Sequence, residues 1–101
     1  MDNTKNYALI TGATSGIGLE LAKIFASEGY NLVLVARTEA DLDLVAAGLA
    51  GYNVDVTTIA KDLFNPKAAS EIYNEVNEKT LKVTVLVNNA GQGEYGLFEN
   101  T

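Results

Sequence analysis

The chain has no cysteine and no histidine among its 101 residues, and it has a single proline. Without cysteine there is no disulfide scaffold, and without either residue type there is no metal site built on thiolates or imidazoles. A Ser–His–Asp triad within this chain is excluded for the same reason. The apolar content of 48% and the charged content of 20% are nevertheless typical of one small globular domain.

Positively charged residues are also few: the chain has seven Lys and Arg but thirteen Asp and Glu, which gives a net charge of −6. This balance argues against nucleic acid and anionic membranes as main partners. No apolar run approaches the roughly 18 residues that a membrane-spanning helix needs. Residues 1–6 lack the apolar segment of a secretory signal. We therefore expect a cytoplasmic protein with no nucleic acid or membrane partner.

Short apolar runs alternate with amphipathic segments along the chain. The predicted strands cover 7–10, 32–36, 53–60 and 83–87, and the predicted helices cover 16–29, 38–51 and 65–80. This order implies a parallel sheet with right-handed crossovers, and a Rossmann-type half-fold arranges four such strands as 3-2-1-4. The third strand alternates between apolar and polar residues, as an edge strand does. We treat residues 1–101 as a single domain of this α/β class.

The spacing of apolar residues predicts which face of each helix is buried. The predicted faces are Ile17, Leu21, Ile24 and Phe25 in the first helix, Leu42, Val45, Ala46 and Leu49 in the second, and Ala69, Ile72, Tyr73 and Val76 in the third. Thr38 is predicted to cap the second helix, and Asn65 to cap the third.

The segment Thr11–Gly18, with the sequence TGATSGIG, follows the first strand and opens the first helix. A helix N-terminus offers free backbone N–H groups and the positive end of the helix dipole, so a loop placed here can cradle a pyrophosphate. Gly12 would allow the sharp turn, Gly16 would clear space for the phosphates, and Gly18 would let the helix lie close to the sheet. The alternative is a glycine-rich turn without a ligand, which leaves three glycines at this spacing unexplained.

This TGxxxGxG pattern resembles the cofactor motif of the short-chain dehydrogenases/reductases. Two further segments are similar to motifs of that family and occur in the same order: Asp62–Leu63 after the third strand and Asn88–Gly91 (NNAG) at the end of the fourth. The resemblance covers essentially the whole chain and implies a dinucleotide-binding half-domain. The cofactor contacts predicted in this way are Gly12, Thr14, Ser15, Gly16, Ile17, Gly18, Arg37, Thr38, Asp62, Leu63, Asn88, Asn89, Ala90 and Gly91.

Arg37 follows the second strand, where an acidic residue binds the ribose 2′-OH of NAD and an arginine accommodates the 2′-phosphate of NADP. Here Ala36 occupies the acidic position, and Arg37 comes next with Thr38 beside it. The sequence therefore predicts NADP rather than NAD. The alternative for Arg37 is a solvated side chain at a strand end.

Two other contacts also have structural alternatives. The resemblance implies that Asp62 bonds the adenine amino group, yet an aspartate in this place can simply initiate a turn or helix. Asn88 can bridge backbone groups at the end of a central strand, and Ala90 and Gly91 are small enough to keep the path along the nicotinamide ribose clear.

The resemblance implies a parent enzyme that transfers a hydride between NADP(H) and a carbonyl or alcohol. That family uses a catalytic Ser and a Tyr-x-x-x-Lys pair, but none of the five tyrosines here is followed by lysine four positions later. We expect this chain alone to be inactive, with its small-molecule substrate bound only by the full-length parent. The rivals are a non-catalytic NADP-binding or sensing module and a segment without a function of its own. We also expect a homo-oligomer joined through residues 83–88, an apolar strand at a sheet edge.

Overall fold

Strands and helices alternate throughout the computed structural model, which describes residues 6–14 and 16–89. The strands are β1 (Tyr7–Thr11), β2 (Asn31–Ala36), β3 (Val56–Ala60) and β4 (Val83–Asn88), and the helices are α1 (Gly16–Ser27), α2 (Glu39–Gly48) and α3 (Ala68–Glu78). The four strands form one parallel sheet in the order β3-β2-β1-β4. The predicted Rossmann-type arrangement is confirmed, with β3 at an edge.

The sheet is covered on both faces, so the residues of its central strand β2 are all buried. Alternate residues of β1 and β2 point to opposite faces. On one face, Ile10 and Leu34 join a cluster that includes α1 and α2. On the other face, Leu9 and Val33 pack with Ile72 of α3. The continuous apolar runs in these strands are thus explained by burial on both sides.

The predicted buried faces of α1 and α3 are wrong in part. Ile17 is 68% exposed, Ile24 53% and Tyr73 53%. The buried residues of α1 are Gly18, Ala22 and Ala26, and those of α3 are Ala68, Ile72 and Val76. Gly18 lies against the Gly12 loop, whereas Ala22 and Ala26 belong to the core cluster, against which the larger Leu21 and Phe25 pack.

Two element boundaries also differ from the prediction. A single 3-10 turn (Ala50–Tyr52) follows α2, and Asn53 is in the left-handed region with φ of 62°, so β3 begins at Val56 rather than at 53. The Asn65 side chain accepts the N–H of Lys67 at 2.8 Å, which makes a turn rather than a helix cap. Helix α3 starts at Ala68, with Lys67 rather than Asn65 in the N-cap position.

Hydrogen bonds fix the register of β3 against β2. The side-chain oxygen of Asn31, which is 3% exposed, accepts the N–H of Asp55 at 2.8 Å. At the other end, the N–H of Lys61 donates to the carbonyl of Ala36 at 2.9 Å. Because all strands are parallel, their carboxyl ends meet at one edge of the sheet. The loops that follow β1, β2 and β3 are thereby brought together there.

Candidate functional site

A cleft of about 440 Å³ opens at the carboxyl ends of the strands. Seven predicted cofactor contacts line it: Gly12, Thr14, Arg37, Thr38, Asp62, Leu63 and Asn89. The other residues that line it are Ala36, Asp41, Lys61 and Phe64. The fold thus collects residues from four separate loops into one concave surface. In open α/β sheets, this is the place where ligands bind.

Four predicted contacts do not line this cleft, namely Gly16, Ile17, Gly18 and Asn88. They lie in the first turn of α1 or at the end of β4. Ser15, Ala90 and Gly91 were also predicted contacts, and they lie outside the described residues.

The loop between β1 and α1 needs glycine for its backbone conformation. Gly12 has φ of 63° and Gly16 has φ of 59°, which is the left-handed region. A Cβ built on Gly16 would meet no atom within 4 Å, so the space above this residue is open. The first turn of α1 also carries no acidic side chain. An anion at this helix start would meet the positive end of the dipole without a competing carboxylate.

Gly18 is required for a different reason, which is close contact. A Cβ at this position would lie 2.8 Å from the side-chain nitrogen of Asn89 and would collide with the carbonyl oxygen of Gly12. The sequence predicts that Gly18 lets α1 lie close to the sheet. The structure places this close approach between the helix, the loop after β1 and the end of β4.

Thr11 was not among the predicted site residues, yet its hydroxyl connects the ends of β1 and β4. Thr11 is completely buried, and its Oγ1 accepts the N–H of Asn89 at 2.8 Å. The same hydroxyl donates to the side-chain oxygen of Asn88 at 3.1 Å. The bond supports a structural role for Asn88. A threonine before the first glycine gave no signal of this pairing, because the register of β1 against β4 is not visible in the sequence.

Arg37 and Thr38 are exposed at the start of α2. Thr38 is the N-cap residue by position, but its side chain makes no capping hydrogen bond, so the predicted cap is wrong in this respect. The first turn carries Glu39 and Asp41 instead, which favour the helix dipole. The hydroxyl of Thr38, next to Arg37, is therefore not used to cap α2.

The cleft carries charges of both signs. Asp41 and Asp62 contribute carboxylates, and Arg37 and Lys61 contribute cations. Lys61 pairs with Glu71 of α3 at 3.0 Å. Within 6–14 and 16–89, the other ion pair joins Lys23 to Glu20, so Arg37 takes part in neither.

The carboxylate of Asp62 organises the loop after β3. Its Oδ1 accepts the N–H of Phe64 at 3.0 Å, and its backbone carbonyl accepts the N–H of Asn65 at 2.9 Å. The expectation that Asp62 makes a turn is thus met. A carboxylate has two oxygens, however, so this bond leaves capacity for a second donor from the cleft.

No group of three or more acidic residues that could hold a metal ion is found among the described residues. None of the described helices combines the length and apolar character required to cross a bilayer. A second groove, of about 530 Å³, lies between β4 and α3 and is mostly apolar, with Tyr73, Val76 and Leu86 in its lining. No predicted contact lies in it.

The chain was compared with known proteins. The family model for short chain dehydrogenase matches residues 6–101. The very-long-chain 3-oxoacyl-CoA reductase of Phaeosphaeria nodorum is 41% identical over 90 residues, which cover 84% of this chain and 26% of that protein. The corresponding reductase of Eremothecium gossypii is 45% identical over 91 residues, covering 84% and 24%. The chain thus spans about a quarter of the length of the curated relatives it matches.

Solved structures give the same result for the fold. L-sorbose reductase from Gluconobacter frateurii, complexed with NADPH and L-sorbose, superposes with a TM-score of 0.81 at 38% identity, covering 90% of this chain and 35% of that one. A short-chain dehydrogenase from Sphingobium yanoikuyae in complex with NADPH gives a TM-score of 0.77 at 39% identity, covering 88% and 35%.

Proposed function

The chain belongs to the short-chain dehydrogenase family, and we propose on this premise that it is the cofactor-binding half-domain of an NADP-dependent oxidoreductase. Residues 1–101 would form this single unit. The parent reaction would be hydride transfer between NADP(H) and a carbonyl or alcohol, with the small-molecule substrate bound by the full-length protein. The observation that carries the proposal is the cleft that places Gly12, Arg37 and Asp62 on one surface.

The pyrophosphate would lie over the start of α1. The open space above Gly16 and the absence of an acid in the first helical turn both suit a doubly charged group there. Thr14 of this loop lines the cleft, where its hydroxyl would bind a phosphate oxygen. Ser15 and Ile17 would complete this part of the site by their place in the loop.

The 2′-phosphate of NADP would lie against Arg37 and Thr38. The guanidinium of Arg37 is exposed and takes part in neither ion pair of residues 6–14 and 16–89. Thr38 adds a hydroxyl that does not cap its helix. An arginine forms strong charge-assisted bonds to phosphate, whereas the ribose 2′-OH of NAD gives it no such charge to bind. These residues favour NADP over NAD.

The adenine would lie at Asp62 and Leu63, and the nicotinamide ribose would run past the end of β4. Asp62 has one oxygen left for an amino group after its bond to Phe64. Asn88–Gly91 would shape the nicotinamide end, with Asn89 held by Thr11. When bound, the cofactor supplies the hydride, and this chain would bind and orient it.

An alternative is a non-catalytic NADP-binding or sensing module, which would use the same cleft. Measuring turnover in a protein that contains this segment would separate it from the oxidoreductase. A cytoplasmic location and a homo-oligomeric state stay predictions from the sequence.

The proposed site is tested by titrating the chain with NADPH and NADH and following the fluorescence of the dihydronicotinamide. We expect NADPH to bind more tightly. Asp62→Asn retains an oxygen that can accept the N–H of Phe64, but its second oxygen is replaced by an NH2 donor. This substitution should weaken the binding of both cofactors by roughly tenfold. Asp43→Asn, which alters an exposed carboxylate of α2 outside the cleft, is the matched control. Equal binding of the two cofactors by the wild-type chain would contradict the proposal.

A further inference from the structure

Phe64 is a large apolar side chain on the rim of the cleft, and it is 62% exposed. A single exposed apolar residue is normal on a protein surface, so exposure alone decides nothing. The position of Phe64 on the cleft is what suggests that it contacts a ligand. Phe64 lines the same cleft as Arg37 and Asp62, and its backbone N–H donates to the carboxylate that would take the adenine amino group.

The backbone at Phe64 is held in a fixed relation to the end of β3. Its N–H donates to Asp62 at 3.0 Å, and the next N–H, from Asn65, donates to the carbonyl of Asp62 at 2.9 Å. The N–H of Lys61 is anchored on Ala36 of β2 at 2.9 Å. The aromatic residue and the carboxylate therefore belong to one hydrogen-bonded turn, and a ligand that binds Asp62 would lie near Phe64.

Leu63 and Phe64 have different environments in this turn. Leu63 is half-buried and packs against the apolar cluster between the sheet and α3. Phe64 keeps most of its surface open toward solvent and the cleft. A flat ligand that covers its ring would remove apolar surface from water and stack two π-faces. Adenine is the flat part of the dinucleotide.

We propose that Phe64 is a cofactor-binding residue that stacks on the adenine ring of the bound cofactor. This inference rests on the proposed function, because it takes the adenine to lie at Asp62. Asp62 would then act twice, by accepting the adenine amino group with one oxygen and by holding the Phe64 backbone with the other. The adenine edge and the adenine face would be recognised by two residues of a single turn.

The test uses the complete chain and adenosine 2′,5′-bisphosphate, which contains the adenine and the 2′-phosphate but no nicotinamide. Binding is measured by calorimetry for the wild type, Phe64→Leu, Phe64→Ala and Phe64→Trp. Stacking needs a flat ring, so the leucine and alanine variants should bind about fivefold or more weakly, while tryptophan should bind at least as well as phenylalanine. Tyr73→Leu is the control, because it removes an exposed aromatic ring that lies outside the cleft.

A second readout is the proton NMR spectrum of the ligand. A stacked phenyl ring should shift the adenine protons upfield on binding, and Phe64→Leu should abolish this shift although leucine preserves apolar bulk. If the wild type binds and the leucine variant binds equally well without loss of the shift, Phe64 does not stack and only this inference fails. If the wild-type chain does not bind the bisphosphate at all, the proposed cofactor site fails together with it.

Discussion

Thr11 and Asn89 are joined by a 2.8 Å hydrogen bond across the carboxyl ends of β1 and β4, in which the threonine hydroxyl accepts a backbone N–H. Because Thr11 is fully buried, its hydroxyl has exchanged water for this contact and for the side-chain oxygen of Asn88. This hydroxyl therefore adds to the pairing of β1 with β4 in holding the end of β4 that would border the nicotinamide.

Thr11→Val replaces the hydroxyl with a methyl group of similar size. The N–H of Asn89 then loses its acceptor, and we expect the free energy of unfolding to fall by about 1–3 kcal/mol. Urea unfolding followed by circular dichroism measures this change. Thr11→Ser retains the hydroxyl and should be less destabilising than valine. A valine variant as stable as the wild type would show that the bond contributes nothing to the fold.

Arg37→Ala should weaken NADP binding by about ten- to a hundredfold and leave NAD binding nearly unchanged, because hydrogen bonds to charged groups contribute about 1.5–3 kcal/mol. Arg37→Asp should weaken NADP binding further, because the new carboxylate would repel the 2′-phosphate. The measured quantity is the ratio of the two dissociation constants. Lys82→Ala, which removes an exposed cation outside the cleft, is the control and should preserve the ratio. An unchanged ratio in Arg37→Ala would remove this residue from the site.

Gly16→Val should abolish NADP binding, because its side chain would occupy the open space above the start of α1. The left-handed backbone at this position adds a cost of about 1–2 kcal/mol to folding. Binding titrations at a temperature where the variant is folded separate the two effects. Gly48→Ala is the control, since its Cβ also meets open space but lies outside the cleft. Normal NADP binding by Gly16→Val would show that this loop does not hold the pyrophosphate.

Gly18→Val should be more destabilising than Gly16→Val, because the new side chain would collide with the carbonyl of Gly12 and the side chain of Asn89. We expect a lower melting temperature in thermal unfolding, together with loss of NADP binding. A Gly18→Val protein that melts at the wild-type temperature would show that the close contact with the Gly12 loop relaxes without cost.

The chain should associate through β4 in a concentration-dependent manner. Within residues 6–14 and 16–89, β4 pairs with β1 alone, so its other edge presents unpaired backbone groups that a second copy can bind. Thr84→Lys places a charge on an exposed position of this strand and should reduce association. Light scattering across a concentration series measures the mass. A wild-type monomer at high concentration, with slow amide exchange in β4, would contradict the prediction.

The strands, the helices and the phosphate loop could be predicted from local patterns, and the Rossmann-type order of the strands then predicted the cleft. Apolar runs, helix periodicity and the glycines after β1 are all readable in sequence, and the parallel arrangement then brings the strand ends together. The faces of the helices could not be predicted equally well. Ile17 and Ile24 have the spacing of a buried stripe, but α1 turns Ala22 and Ala26 toward the core instead, and this orientation is set by tertiary packing.

The positions of Thr11 and Phe64 at the site could not be predicted from the sequence, because they too depend on tertiary structure. Thr11 acts through Asn89, which is distant in sequence, and the pairing depends on how β1 and β4 are aligned. Phe64 looks like an ordinary loop residue until the turn at Asp62 places it on the cleft. Both depend on tertiary geometry rather than on any local pattern.

The parallel sheet also separates the cleft from the turns that enter β3 and β4. Asn53 and Thr80 lie in those turns, are exposed, and have φ of 62° and 54°. Exposed turns of this kind tolerate inserted sequence better than packed segments. A fluorescent reporter domain inserted after Asn53 would therefore leave the cleft residues in place, so the chain offers a scaffold for a genetically encoded sensor of the ligand that the cleft binds.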